Sequence, residues 1–284
     1  SSAASDVYKR QGQRNANSMC FGQDDVPDLA FEKARIIYNF GADFLETWGR
    51  PVENARRLSE SNAFDGKTKT ELVHLSPHVS LTGAKADRWV VINPGSEAMV
   101  ALSIASVIRD RKGGYDFLSG MLAAFAPEKV AEATGVPAKK MKELAQNFTE
   151  NSPGLALGGG PSSRNSNLTS LHVAINILNA VSGNLGKTVF FHDQPTPENT
   201  SHQNLVQLIE DLKAGKVDLL IVDDSDPLHA LPKSTGIKKA LKNTFTVSLA
   251  SQINDTSSEA DLQLPALTDY ESWGDAFPRS GVRS

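Results

Sequence analysis

The sequence predicts an α/β protein: two related domains with mostly parallel sheets flanked by helices. Three observations carry this reading. The apolar run Ile36-Ile37-Tyr38-Asn39-Phe40 empties into Gly41-Ala42-Asp43 ahead of Pro51, which suits the first turn of a helix. A second such run, residues 217–222, empties into Asp223-Asp224-Ser225-Asp226-Pro227. A helix over 236–242 and a strand over 245–249 then complete a βαβ crossover, which implies parallel pairing. Strands that open into glycine- or aspartate-bearing loops before helices build ligand crevices at the carboxyl edge of such sheets, here expected between the two halves.

Composition narrows the class. The 284 residues are 39% hydrophobic and 22% charged with a formal net charge of -4, which fits a globular fold and lacks the basic footprint of a nucleic-acid binder. No apolar run approaches the ~18 to 20 residues needed to span a bilayer. The single cysteine, Cys20, excludes an internal disulfide and a cysteine-held iron–sulfur cluster within these residues. Residues 1–11, SSAASDVYKRQ, have the look of a non-native leader and are set aside. The far end, following Trp273-Gly274-Asp275, reads as the interruption of a longer chain, so the whole is expected to be an internal fragment.

The elements follow in order. Residues 12–28 are polar and mixed and are expected to be loop. After the strand at 35–40, a helix from Pro51 to about Ser61 is expected to bury Val52, Ala55 and Leu58. Strands are expected at 71–75 and 88–92. Ser96 is placed to N-cap a helix over 97–111 with Val100, Ile104, Val107 and Ile108 inward. Residues 115–150 form a helical connector, with Pro127 and Pro137 at helix starts and Gly135 at a stop. The first domain therefore covers 12–150 and the second 151–284. The second opens with a strand at 153–157 ending in Gly158-Gly159-Gly160. A helix over 168–181 follows, buried through Leu171, Ala174, Ile175 and Leu178 and broken by Gly183-Asn184-Leu185-Gly186. Residues 196–201 are loop, and a helix over 204–214 turns Leu205, Leu208, Ile209 and Leu212 inward.

Each candidate site has an ordinary alternative. Gly95-Ser96-Glu97 opens a helix, where free N–H groups suit an anion and Glu97 suits guanine N–H groups or a ribose; a plain capped helix reads the same. Gly158, Gly159 and Gly160 let backbone approach a ligand, although Ser163 breaks the dinucleotide fingerprint; a turn explains them equally. Gly186-Lys187-Thr188 is not a P-loop, because Val181 stands where the first glycine belongs. Asp223, Asp224 and Asp226 could hold a cation or a nucleoside, or simply face solvent. Pro77 spoils His74 and His78 as a helical ligand pair. His229 reads as surface by default, and Trp48, Trp89 and Trp273 as core or crevice wall. No nucleophile with a base partner is evident.

The ordered set of Phe40-Gly41-Ala42-Asp43, residues 81–89 (LTGAKADRW), Pro94-Gly95-Ser96-Glu97, Gly158-Gly159-Gly160, Gly183-Asn184-Leu185-Gly186, Asp226-Pro227 and residues 260–265 (ADLQLP) resembles the molybdopterin oxidoreductase (dimethyl sulfoxide reductase) superfamily. Residues 40–48 (FGADFLETW) and 270–275 (YESWGD) most resemble the large subunit of alternative complex III and its polysulfide-reductase-like relatives. The resemblance implies an oxidoreductase subunit of a respiratory electron-transport complex on the exported, periplasmic face of the inner membrane. Its partners would be iron–sulfur and integral membrane subunits. It also implies a bis-molybdopterin guanine dinucleotide site. One dinucleotide would meet Gly41, Asp43, Gly95, Ser96 and Glu97. The other would meet Gly158, Gly159, Gly160, Asp224, Asp226, Asp255 and Thr256. Iron–sulfur cysteines and the molybdenum ligand would lie upstream, and His78 stands where the family usually has arginine. The alternative complex III type implies a quinol-oxidising scaffold without molybdenum, and the polysulfide-reductase type a true molybdoenzyme. A soluble nucleotide-binding module is the reading from outside the family.

Overall fold

The computed structural model describes residues 2–63, 69–160, 168–191, 202–223, 225–268 and 271–274. The chain forms two compact units, Gly12–Asp193 on one hand and Gln194–Ser284 with Ser1–Gln11 on the other.

The chain starts in helix α1 (Ser2–Phe21), followed by the short strand β1 (Asp28–Leu29) and the central strand β2 (Ile36–Phe40). Helix α2 (Pro51–Ser61), strand β3 (Glu71–Leu75), helix α3 (Leu81–Ala84) and strand β4 (Arg88–Val90) come next. Helices α4 (Glu97–Lys112), α5 (Ser119–Ala123), α6 (Pro127–Thr134) and α7 (Ala138–Glu150) lead to strand β5 (Gly154–Gly158), helix α8 (Leu168–Ser182) and strand β6 (Val189–Phe190). The main sheet has the order β4-β3-β2-β5, all parallel, while β1 and β6 pair antiparallel apart from it.

All five residues of β2 are buried, because a central parallel strand is covered on both faces. Alternate side chains enter opposite layers. Ile36, Tyr38 and Phe40 pack with Val100, Ile104 and Ile108 of α4, Phe148 of α7 and Leu178 of α8. Ile37 enters the other layer with Phe31, Phe44, Leu58 and Leu155. The proline and glycine signals hold: Pro127 opens α6, Pro137 caps α7, and Gly135 ends α6 at φ 71°.

Three expectations are corrected here. The division at 150/151 moves to 193/194, since β5 pairs with β2 along its whole length, Ile36 opposite Gly154 through Phe40 opposite Gly158. Residues 12–21, expected as loop, are helical. Their anchor is polar rather than an apolar stripe: Asn176 donates to Asn17 Oδ1 at 2.8 Å, and Asn17 Nδ2 donates to the Asp25 carbonyl at 2.7 Å. The inward face of α2 is Asn54 and Leu58, while Val52 and Ala55 are exposed. Asn54 reaches the Phe44 carbonyl at 3.2 Å, and Arg57 pairs with Asp28 at 3.1 Å, so polar contacts set the rotation of the helix.

The outer edge of β5 is closed by side chains. Asn179 of α8 accepts from Ala156 N at 3.0 Å and donates to Ala156 O at 2.8 Å, as a neighbouring strand would. Asn184 accepts from Gly154 N at 3.2 Å, and Thr188 donates to Gly154 O at 2.6 Å. The Gly183–Gly186 break thus returns the chain to seal the sheet.

The second unit contains helix α9 (His202–Lys213), strand β7 (Leu219–Val222), the short helices α10 (Pro227–Ala230) and α11 (Ile237–Ala240), strand β8 (Phe245–Ser248) and strand β9 (Leu262–Gln263). Its sheet, β7-β8-β9, is parallel throughout. Ile209 of α9 packs with Ile237 and Leu241, whereas Leu208 is exposed. The loop expected at 196–201 lies outside the described residues. Trp89 is 46% exposed and Trp273 fully so, so neither is a core residue.

Candidate functional site

Parallel strands send all their following loops from one edge, and the first unit's sheet does so with four. The loops after β2 (Gly41 to Trp48), β3 (Ser76 to Ser80), β4 (Val91 to Ser96) and β5 (Gly159, Gly160) leave the carboxyl edge together.

Asn39, the polar residue within the apolar run of β2, organises this edge. Its Oδ1 accepts from Ala42 N at 2.8 Å and its Nδ2 donates to Ala42 O at 2.8 Å, which folds the Gly41 turn (φ 75°) back on the strand. The same Nδ2 lies 3.0 Å from Nδ1 of buried His74. Because that amide group donates, Nδ1 accepts, and the imidazole proton sits on Nε2, which faces the His78 carbonyl at 3.3 Å. Burial pushes the His74 pKa down, which keeps the ring neutral. Neither Asn39 nor His74 was singled out as a ligand-site organiser from sequence; a lone asparagine inside a buried strand was the available signal.

Two carboxylates sit in this edge with an oxygen that meets nothing. Asp43 is 5% exposed and Glu97 3% exposed; Oδ1 of the first and Oε1 of the second are buried without a hydrogen-bond partner. Burial raises the Glu97 pKa, opposed by N–H groups of Glu97 itself and of Gly95 and by the charge of His78. Ser96 occupies the N-cap position, but its hydroxyl donates to Asn93 O at 2.6 Å and does not cap the helix.

The three glycines at the end of β5 and just after it are required by the chain's own packing. A Cβ on Gly158 would lie 2.7 Å from Ile175 Cδ1, and one on Gly159 (φ 98°) 2.7 Å from His172 Nε2. A Cβ on Gly160 would lie 1.6 Å from the Gly41 carbonyl, so the loops after β2 and β5 touch backbone to backbone. His172 beneath them is buried, and desolvation lowers its pKa to about 4.

Gly41, Asp43, Gly95, Ser96, Glu97, Gly158, Gly159 and Gly160 thus share one sheet edge, whereas Asp226, Asp255 and Thr256 form a separate group in the second unit. Asp224 lies outside the described residues. Asp226 latches two loops of its own chain. Its Oδ1 accepts from Thr256 Oγ1 at 2.5 Å, Thr256 N at 3.1 Å and His229 N at 3.3 Å, and its Oδ2 from Asp255 N at 3.2 Å. Three of its four bonds fall on Oδ1, which leaves Oδ2 the oxygen open to a further donor. Asp255 is exposed, 3.7 Å from the His229 ring. Among the described residues no group of three or more His, Cys, Asp or Glu could hold a metal ion, and no helix is long and apolar enough to cross a membrane.

The architecture, mixed α/β with parallel sheets flanked by helices, is consistent with a molybdopterin oxidoreductase domain fold. In solved structures the chain is similar to acetylene hydratase from Pelobacter acetylenicus, with a TM-score of 0.53 and 18% identity over 73% of this chain and 29% of that one, a likeness of fold. No family model matches the chain. Among curated proteins it is 26% identical to the menaquinone reductase molybdopterin-binding-like subunit of Nitratidesulfovibrio vulgaris, over 86% of this chain and 38% of that protein. It is 23% identical to the probable oxidoreductase YoaE of Bacillus subtilis, over 72% of this chain and 35% of that protein. The arsenate respiratory reductase molybdopterin-containing subunit ArrA of a Shewanella strain is 29% identical over 27% of this chain. The chain is similar to molybdopterin-oxidoreductase-like subunits and spans less than half the length of the first two relatives.

Proposed function

We propose that the chain belongs to a subunit of a membrane-associated, quinone-linked respiratory complex, and that its first unit receives one guanine dinucleotide arm of a molybdopterin cofactor. The observation that supports binding is the pair of orphaned oxygens, Asp43 Oδ1 and Glu97 Oε1, in one glycine-lined edge. Buried carboxylate oxygens without donors are costly, and guanine N1–H and N2–H groups are the donors they lack. The residues of the first unit therefore fit the group, with Asp43 and Glu97 as acceptors. In the second unit, Asp226 would offer only Oδ2, and Asp255 its exposed carboxylate. When bound, the cofactor would supply the redox chemistry, and these residues would hold and orient it.

The setting is supported by the menaquinone reductase relative, named as a subunit and as molybdopterin-binding-like. That name also favours a second reading, a quinol-oxidising scaffold of the alternative complex III type in which the edge no longer carries molybdenum. Partners in either case would be iron–sulfur and membrane-integral subunits on the exported side. The deciding experiment is metal and nucleotide analysis of the full-length protein from a molybdenum-replete host. Stoichiometric molybdenum with released guanine nucleotide supports the first reading. Iron without either supports the scaffold.

A further inference from the structure

Helix α8 carries three buried polar side chains, His172, Asn176 and Asn179. Separations of four and three residues place them on one face of the helix. Two of them have a visible use. Asn179 serves both backbone groups of Ala156, and Asn176 donates to Asn17 of α1. His172 has none: desolvation alone sets its pKa of about 4, with no hydrogen bond contributing. The neutral imidazole still carries one donor and one acceptor, and leaving them unmet in the interior is unfavourable.

The edge of β5 has a matching gap. On a strand paired along one side, every second residue turns its N–H and C=O to the other side. The bonds to Gly154 and Ala156 mark that outward series, and Gly158 is its next member. Asn184, Thr188 and Asn179 serve the first two residues. At Gly158 the edge meets instead a cavity of about 20 Å³, which His172, Asn176 and Asn179 also line. Every residue around it belongs to the first unit. A water molecule needs roughly 10–15 Å³ of such space and two to four polar partners, so there is room for one water and for no organic ligand.

We propose that this cavity is a binding site for a single internal water, held between the ring of His172 and the outward backbone groups of Gly158, and that this water completes the side-chain seal along β5. The polar face of α8 then has one task along its length, direct at Asn179 and water-mediated at His172. The water belongs to the fold and is independent of cofactor binding.

The test uses the full-length protein and two measurements. A crystal structure of the wild type should show one water in the cavity, roughly 2.7–3.2 Å from a His172 ring nitrogen and from Gly158 N or O. Amide exchange at Gly158, read by mass spectrometry with fragmentation, should be about tenfold faster in His172→Leu and unchanged at Ala156, because only the Gly158 amide loses its partner. His172→Gln, which keeps a donor and an acceptor, should hold exchange at Gly158 within about twofold of wild type. A dry cavity, a protein side chain filling it, or a water that touches neither His172 nor Gly158 would overturn the proposal. So would His172→Leu exchanging at Gly158 as slowly as wild type. If the leucine variant fails to fold, the wild-type structure and the glutamine variant still decide.

Discussion

Glu97→Gln separates the cost of this site from its use. The wild-type side chain is 3% exposed, and its Oε1 has no donor. Glutamine keeps the shape of the side chain and removes the buried charge. Because burial raises the folded-state pKa of Glu97, the wild-type protein is fully stabilised below the ordinary glutamate range and loses stability as pH rises through the raised value. An uncompensated buried polar oxygen costs about 1–3 kcal/mol, so at pH 8 the variant should be more stable by about 1–2 kcal/mol, with the difference vanishing near pH 4. Urea unfolding at the two pH values reads the difference directly. A variant less stable than wild type at pH 8, or a gap independent of pH, would refute the reasoning. On the cofactor side, the same change should weaken retention of guanine nucleotide about tenfold or more, the worth of one charge-assisted hydrogen bond.

Three further outcomes are expected. Asn179→Ala leaves both polar groups of Ala156 without partners and should cost about 3 kcal/mol in urea unfolding, with faster amide exchange at residue 156. Gly160→Ala drives a methyl into the Gly41 carbonyl, backbone against backbone; it should cost about 3 kcal/mol or more and be visible as a large fall in Tm. His172, buried with a pKa of about 4, stabilises the fold fully above its unfolded value and progressively less as pH falls toward 4. That loss is about 3 kcal/mol, and His172→Leu should flatten the stability profile between roughly pH 6.5 and 4.

Much of this fold was legible because its signals are local. Pro51, Pro127 and Pro137 mark helix starts in the sequence and in the structure, Gly135 marks a stop, and the apolar run of β2 announces a strand covered on both faces. What escaped is held by polar contacts between distant positions. Asn17 meets Asn176 across 159 residues, a bond with no periodic trace, so α1 read as loop. The rotation of α2 follows Asn54 and Arg57, where hydrophobicity alone pointed to Val52. The domain boundary failed for a related reason: a strand ending in glycines announces itself, but its place beside β2 does not. The structure groups the loops named from sequence differently. Gly158 to Gly160 stand with Gly41, and their missing side chains make room for Ile175, His172 and backbone. Asp226 carries the charge that suggested ligand contact, while most of its hydrogen-bonding capacity is spent on Thr256, Asp255 and His229.

The amide and hydroxyl groups along β5 give the main sheet a direction. A strand with its outward N–H and C=O groups already occupied cannot template another, so on that side the sheet resists both illegitimate strand exchange and amyloid-like stacking. At the opposite end, β4 has no second neighbour among the described residues and shows Trp89 and Val91 to solvent. Any lengthening of this sheet, by evolution, by assembly or by misfolding, therefore has one end at which to begin.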